Sequence, residues 1–271
     1  MQITAVIGSY HKGRTLKIVQ RIEEHMKRLG DVTFNYIDLS ETPLADCRGC
    51  FACISRGEMK CPLKDSFPDI ERALMESDGA IFASPNYAVG VTAQMKRLIE
   101  RFAYIGHRPK FFGKYMTAVA TSGGPMGLKQ TLDSLSYFEG GGFEVVSRLG
   151  FQTPPTKMSA KAVAKRDKTI EKSARVLYDA ITNKRISRPN LGSVIQFAAF
   201  RGMYMKNLAL GEAEFPADMA YWRQMGWLEK KAKSFSGVYP GPLKRFLGWL
   251  FEKVIGLAAK GMTAESARDE A

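Results

Sequence analysis

The sequence predicts a three-layer α/β fold: a five-stranded parallel sheet covered by helices on both faces, followed by a helical appendage. Three observations predict it. Short apolar runs alternate with amphipathic segments through roughly the first 185 residues, the rhythm of βαβ units. Two of those runs, GAIFA at 79–83 and YMTAVA at 115–120, are apolar almost throughout, as strands buried on both faces require. From Ser187 onward no strand-like run occurs, and all three tryptophans (Trp222, Trp227, Trp249) gather there.

The elements follow in order. Gln2–Ile7 is β-rich and ends at Gly8. Arg14–Leu29 carries Leu16, Ile18, Val19, Ile22, Met26 and Leu29 at helical spacing, which puts His25 on the polar, solvated side. Val32–Ile37 alternates like a strand. Ser66–Met75 reads as a helix with Ser66 as N-cap. Gly79–Ala83 is a strand, Thr92–Tyr104 a helix, Tyr115–Ala120 a strand, Leu128–Phe138 a helix and Phe143–Leu149 the fifth strand. Ser159–Thr182 is a long basic amphipathic helix. His107 falls at a helix end, where a cation suits the dipole. The expected division is a domain at 1–186, with a cysteine loop at 46–65, and a mostly helical extension at 187–271.

The formal charge of the 271 residues is +13. Residues 1–100 are balanced, with 13 basic and 13 acidic side chains, so the whole excess lies further along the chain. No zinc-finger or RNP-type signature accompanies it, and nucleic acid is not an expected partner. No stretch reaches the roughly 18 apolar residues of a membrane-spanning helix. The apolar run before Gly8 is too short for a signal sequence, so the chain is expected in the cytoplasm.

Three loops at the carboxyl ends of strands could carry chemistry. Gly8-Ser9-Tyr10-His11-Lys12-Gly13-Arg14-Thr15 joins the first strand to a helix. Such a loop aims backbone N–H groups and the positive helix end at whatever lies in front, which suits a phosphate. Ser9 and Thr15 add hydroxyls, Lys12 and Arg14 add charge, and Gly13 permits close approach. The pattern is neither a Walker A nor a G-x-G-x-x-G motif. Ser84-Pro85-Asn86-Tyr87-Ala88-Val89-Gly90 ends the third strand and Thr121-Ser122-Gly123-Gly124-Pro125-Met126-Gly127 the fourth. Ligands of open α/β sheets sit at these ends.

The set G-S-x-x-K-G-x-T, S-P-x-Y followed by A-x-x-K-R-x-x-x-R (Ala93, Lys96, Arg97, Arg101) and T-x-G-G resembles the NADPH-dependent FMN reductases over roughly residues 1–150. The cysteine loop narrows the resemblance toward the iron–sulfur flavoproteins. It implies a flavodoxin-like sandwich with strand order 2-1-3-4-5. It also implies FMN, with the phosphate on Ser9, His11, Gly13, Arg14 and Thr15, the isoalloxazine against Pro85, Asn86, Tyr87 and Val89, and the pyrimidine edge on Ser122, Gly123 and Gly124. Family members usually carry Pro where this chain has Tyr10. A homodimer or homotetramer is implied as well.

All four cysteines fall within fifteen residues, Cys47, Cys50, Cys53 and Cys61, as C-x2-C-x2-C-x7-C followed by Pro62. Thiolates at this spacing suit a single metal or cluster. The resemblance implies a [4Fe–4S] cluster; zinc, a disulfide and unmetallated redox-active thiols stay open. The expected function is an FMN-dependent oxidoreductase taking hydride from NAD(P)H and passing electrons to an acceptor the sequence does not name. No acid–base residue is assigned, because the cofactor carries the chemistry. The alternatives are a non-enzymatic flavoprotein electron carrier and a thiol-based redox sensor or membrane-associated interaction protein. In Pro242–Lys260, Leu243, Phe246, Leu247, Leu250, Val254 and Leu257 form one apolar stripe. The favoured expectation is that this stripe packs on its own domain or a partner subunit; peripheral membrane contact through 242–260 is the alternative.

Overall fold

The computed structural model describes residues 1–209 and 215–258. In chain order the elements are β1 (Gln2–Ile7), α1 (Arg14–Lys27), β2 (Thr33–Asp38), α2 (Ala52–Ser55), α3 (Phe67–Glu76), β3 (Gly79–Pro85), α4 (Ala93–Arg101), β4 (Tyr115–Ser122), α5 (Leu128–Leu135), α6 (Tyr137–Gly140), β5 (Glu144–Gln152), α7 (Ala160–Thr182), α8 (Leu191–Ala209), α9 (Pro216–Gln224) and α10 (Pro242–Ala258). Residues 259–271, including the end of the 242–260 stripe, lie outside the described residues.

Two compact units emerge. The first comprises Met1–Arg48, Leu63–Phe102 and Phe111–Ile186; the second comprises Gly49–Pro62, Ala103–Lys110 and the described residues from Ser187 onward.

The first unit holds a parallel sheet of order β2-β1-β3-β4-β5, the expected order. Register runs Ile3↔Gly79 between β1 and β3 and Gly79↔Tyr115 between β3 and β4. β4 is buried at every position and β3 at all but Pro85, whereas the edge strand β2 is not. Strand alternation divides the side chains between two cores. Ile3, Ala5 and Ile7 meet Ile18, Val19 and Ile22 of α1 and Ile170, Ala174 and Leu177 of α7. On the other face Phe82 stacks on Phe138, 3.9 Å between ring centroids, and Phe138 meets Phe102 edge-on. Each such side chain, fully buried, contributes about 1.5–3 kcal/mol.

Helix ends differ in two places from the sequence reading. Ser66 precedes α3 but makes no side-chain cap; the Asp65 carboxylate accepts the Phe67 N–H instead, at 3.1 Å. A carboxylate there also complements the helix dipole. His25 is only partly exposed, and its Nε2 is buried without a hydrogen-bond partner. Ser159 caps α7 as its sequence position suggests, accepting from the Ala162 N–H at 3.2 Å.

The second unit is helical. Its core is a ring cluster in which Trp222 is fully buried, with Phe197, Tyr204, Trp227 and Phe235 around it at 5.0–5.6 Å between centroids. That cluster explains why the tryptophans concentrate late in the sequence: Trp222 and Trp227 build this core, while Trp249 of α10 is 53% exposed.

Candidate functional site: a loop junction at the carboxyl edge of the sheet

β1 pairs with β2 on one side and β3 on the other, so the chain order reverses there, the place at which open α/β sheets receive their ligands. The three loops named from the sequence meet at this edge. The Gly8 N–H donates to Ala83 O at 2.7 Å, and the Thr92 hydroxyl donates to Gly8 O at 2.5 Å. The Thr92 N–H donates to the Ser84 hydroxyl at 3.1 Å. The Asn86 N–H donates to Thr121 O at 2.6 Å. Thr15 and Thr121, both buried, bring their hydroxyl oxygens to 2.8 Å.

The first loop presents a helix N-terminus. Gly13 precedes α1 without a side-chain cap, and the first turn of α1 carries no acid. The N–H groups of Arg14, Thr15 and Leu16 therefore open the helix with no acid in its own first turn. Ser9 is buried and donates its hydroxyl to His11 O at 3.0 Å; Gly13 N–H donates to the same carbonyl at 2.7 Å. His11 is exposed. The Arg14 guanidinium bonds to Thr153 O, which fixes it along the β5 end. Lys12 leans the other way, 2.8 Å from Glu41, and the Glu41 carboxylate raises its pKa. Of the two cations in the loop, Arg14 is thus held at the junction and Lys12 is drawn toward the β2 side.

The second loop folds tightly. Tyr87 and Gly90 exchange N–H···O bonds at 3.0 and 3.1 Å around Ala88 and Val89, whose φ values are +48° and +66°. Neither residue is glycine, and such left-handed conformations cost free energy that concentrates at functional sites. The turn leaves Tyr87 and Val89 about half exposed, beside partly buried Pro85.

Asn86 ties two of the loops together. Its side-chain N–H groups donate to the Ser122 hydroxyl at 3.1 Å and Met126 O at 3.0 Å, while its Oδ1 accepts from Thr131 at 3.2 Å. It is a clamp between the second and third loops. Gly127 makes room for it: with φ +86°, a Cβ there would stand 2.2 Å from Asn86 Oδ1. Ser122 is buried and also accepts from the Gly124 N–H at 3.3 Å. A Cβ at Gly123 or Gly124 would meet nothing within 4 Å, so this backbone borders open space. Thr92, Thr131 and Thr153 were not singled out from the sequence; isolated threonines carry no spacing signal, and only their contacts reveal them.

These residues fit an FMN-like group. An acid-free helix start suits a phosphate, open glycine backbone suits a ring edge, and an exposed aromatic turn suits a flat ring.

The cysteines are arranged differently. Cys47 and Cys50 are exposed, Cys53 and Cys61 partly so. Among the described residues no three His, Cys, Asp or Glu side chains stand close enough to hold a metal ion. Four thiolates suit an iron–sulfur cluster in kind. The flanks of the segment are pinned by the two arginines of the A-x-x-K-R-x-x-x-R pattern. Arg97 bonds Asp46 at 2.5 Å, and buried Arg101 pairs with Asp65 and donates to Ala45 O at 3.2 Å. Burial disfavours the Asp65 charge, yet hydrogen bonds from Arg101 and from the N–H groups of Ala45 and Phe67 hold its pKa below the usual value. Within the second unit, Arg108 donates to Ile54 O at 3.1 Å and to Cys53 O, fastening α2. The structure thus gives His107 a role other than dipole compensation: its Nδ1 lies 2.8 Å from Asp218, which also receives Arg108 and Tyr204.

An iron–sulfur flavoprotein of Clostridioides difficile is 30% identical over 237 residues, covering 83% of this chain and 99% of that protein. One of Archaeoglobus fulgidus is 33% identical over 125 residues, covering 46% of this chain and 56% of that relative, so the chain spans little more than half of its length. Among solved structures, a flavone reductase superposes with a TM-score of 0.53 at 14% identity, over 68% of this chain and 64% of that one, a likeness of fold. Residues 1–148 match the NADPH-dependent FMN reductase family. With more than half its length in that match, and the loop junction lying largely inside it, the chain belongs to the NADPH-dependent FMN reductase family.

Proposed function

We propose that this chain is an FMN-dependent oxidoreductase that accepts a hydride from NAD(P)H and passes the electrons to a further acceptor. The observation that carries the reading is the junction of the β1, β3 and β4 loops, tied by Thr15–Thr121, Thr92–Gly8 and Asn86–Ser122 around an uncapped helix start. The chemistry supplied there by FMN would be hydride acceptance and electron release. The chain's own work is to bind and orient. The N–H groups at the start of α1, with Ser9, His11, Gly13, Arg14 and Thr15, receive the phosphate. Pro85, Tyr87 and Val89 flank the ring, and Gly123 and Gly124 offer backbone N–H groups to its edge, with Asn86 and Ser122 holding that loop in place. No side chain is needed to shuttle a proton. Residues 1–186 form the flavin domain in this reading and 187–271 its extension.

Cys47, Cys50, Cys53 and Cys61 are proposed as [4Fe–4S] ligands on ligand type and spacing alone, and the oxidoreductase reading needs no electron to pass through them. The reading also has the chain as a homo-oligomer in the cytoplasm, where free thiols persist.

The experiment is anaerobic mixing of the FMN-loaded chain with NADPH and, separately, NADH, followed by visible absorption. Rapid bleaching of the flavin supports a reductase. Flavin that binds but stays oxidised for minutes assigns the chain to electron carriers, and failure to bind FMN rejects the reading. Iron and sulfide analysis of anaerobically purified protein decides the cysteine assignment.

A further inference from the structure

α10 is amphipathic in the wrong sense for a helix that serves only its own fold. A surface helix normally turns its apolar stripe inward. Here small and polar residues, Gly248, Glu252 and Lys244, make contacts toward α8 and the residues before it. Gly248 is buried, and a Cβ there would stand 2.8 Å from Val194; a Cβ at Gly202 of α8 would stand 2.6 Å from Glu252 O. Arg201 of α8 pairs with the Glu252 carboxylate, and Lys244 donates to Pro189 O at 2.8 Å. The opposite face carries the stripe: Leu243, Phe246, Leu247, Leu250, Val254 and Leu257 are 36–69% exposed, with Trp249 and Phe251 exposed at its margins. The expectation that this stripe packs on its own domain therefore fails among the described residues. The patch is on the order of several hundred Å², the size at which an apolar surface marks an interaction site.

Charge selects what covers it. Residues 187–271 carry twelve lysines and arginines against eight acids, and the described part of them, 187–209 and 215–258, ten against three. All three acids are engaged: Asp218 by Arg108, Glu252 by Arg201, and Glu229 by Lys231 at 3.0 Å. Exposed Lys253 borders the stripe on its own helix, where its aliphatic stem can extend it while the charge reaches outward; exposed Arg245 lies nearer the α8 side, beside Gly248 and Glu252. A second copy meeting this face about a two-fold axis would bring the same basic border against itself. Anionic headgroups over an acyl interior match both features, and Trp and Phe suit that boundary.

We propose that α10 seats the chain on an anionic lipid surface, lying in the plane of the interface with Leu243, Phe246, Leu247, Leu250, Val254 and Leu257 inserted. No described helix is long and apolar enough to cross a membrane, so the contact is peripheral. This inference stands independently of the flavin reading.

The test is flotation of the full chain with vesicles of phosphatidylcholine alone, or with roughly 30% phosphatidylglycerol. The native chain is expected to float with the anionic vesicles about tenfold more than with neutral ones, and less as salt rises. Phe246→Glu with Leu250→Glu, both at exposed positions, should abolish flotation while leaving the melting temperature unchanged. Should that pair unfold the protein, Arg245→Gln with Lys253→Gln should lower binding to anionic vesicles several-fold. Native protein that floats with neither vesicle overturns the proposal, as does a folded Glu pair that floats like the native chain. A Glu pair that instead splits an oligomer in sedimentation velocity, with no vesicle binding by the native chain, assigns the face to a second copy.

Discussion

Arg108 and Asp218, 110 residues apart, meet as a buried ion pair in the second unit. Asp218 is fully buried and also engages His107 at 2.8 Å and Tyr204 at 2.7 Å. Burial, together with the Asp218 carboxylate, pushes the Tyr204 hydroxyl pKa upward. Arg108 carries this network to the carbonyls of Cys53 and Ile54 and to Glu58. Removing the carboxylate takes away the fully buried partner of Arg108 and leaves it only the partly exposed Glu58. Asp218→Ala is expected to cost roughly 3–5 kcal/mol, read as a lower denaturant midpoint. It should also speed the reaction of Cys53 with a thiol reagent under native conditions; unchanged thiol kinetics would disconnect the network from the cysteine segment.

Thr15 and Thr121 share a buried hydroxyl contact at the base of the β1–α1 loop. Thr15→Val keeps the shape and strands the Thr121 oxygen. The expected loss is about 1 kcal/mol of stability and about tenfold in FMN affinity, measured by fluorescence titration, with riboflavin binding much less affected. Equal losses for FMN and riboflavin would place Thr15 away from the phosphate.

Gly127 sits at φ +86° with Asn86 filling the space of its missing side chain. Gly127→Ala should cost about 1–3 kcal/mol and release the loop carrying Gly123 and Gly124, seen as faster amide exchange there. Gly113, also at positive φ but with open space around it, is the control: alanine there carries the conformational cost alone.

The paired Asp65 gives stability a definite pH dependence. Its folded pKa lies below the usual value, so the Arg101–Asp65 contribution is complete above the unfolded value near pH 4 and is lost as pH falls through the folded pKa. Chemical denaturation between pH 6 and about 3 should show this loss in the native chain. Asp65→Asn, less stable at neutral pH, should show less of it; an equally steep acid profile would move the effect to other carboxylates.

Periodicity and spacing carried the architecture of the first unit. Fully apolar runs became the central strands β3 and β4, and glycine-rich loops fell at strand ends, because burial on both faces and tight turns leave strong local marks. Element ends were less legible: the segment 92–104 became α4 followed by a 3-10 turn at Ala103–Gly106, since helix termini depend on caps and tertiary contacts. The site was legible as loops and not as contacts. Nothing local marks Asn86 as a clamp between loops or Thr92 as the link to Gly8.

By itself the sequence determined the alternation of strands and helices, the three carboxyl-end loops, the cysteine cluster and the apolar stripe of α10, because each is written in residue type and short-range spacing. Only the tertiary structure decided which side chains meet: Arg101 with Asp65, Arg108 with Asp218, and Gly248 rather than Leu250 against α8. Such pairings are long-range and set by which groups can be buried together with their charges and hydrogen bonds satisfied, a condition that no local pattern encodes.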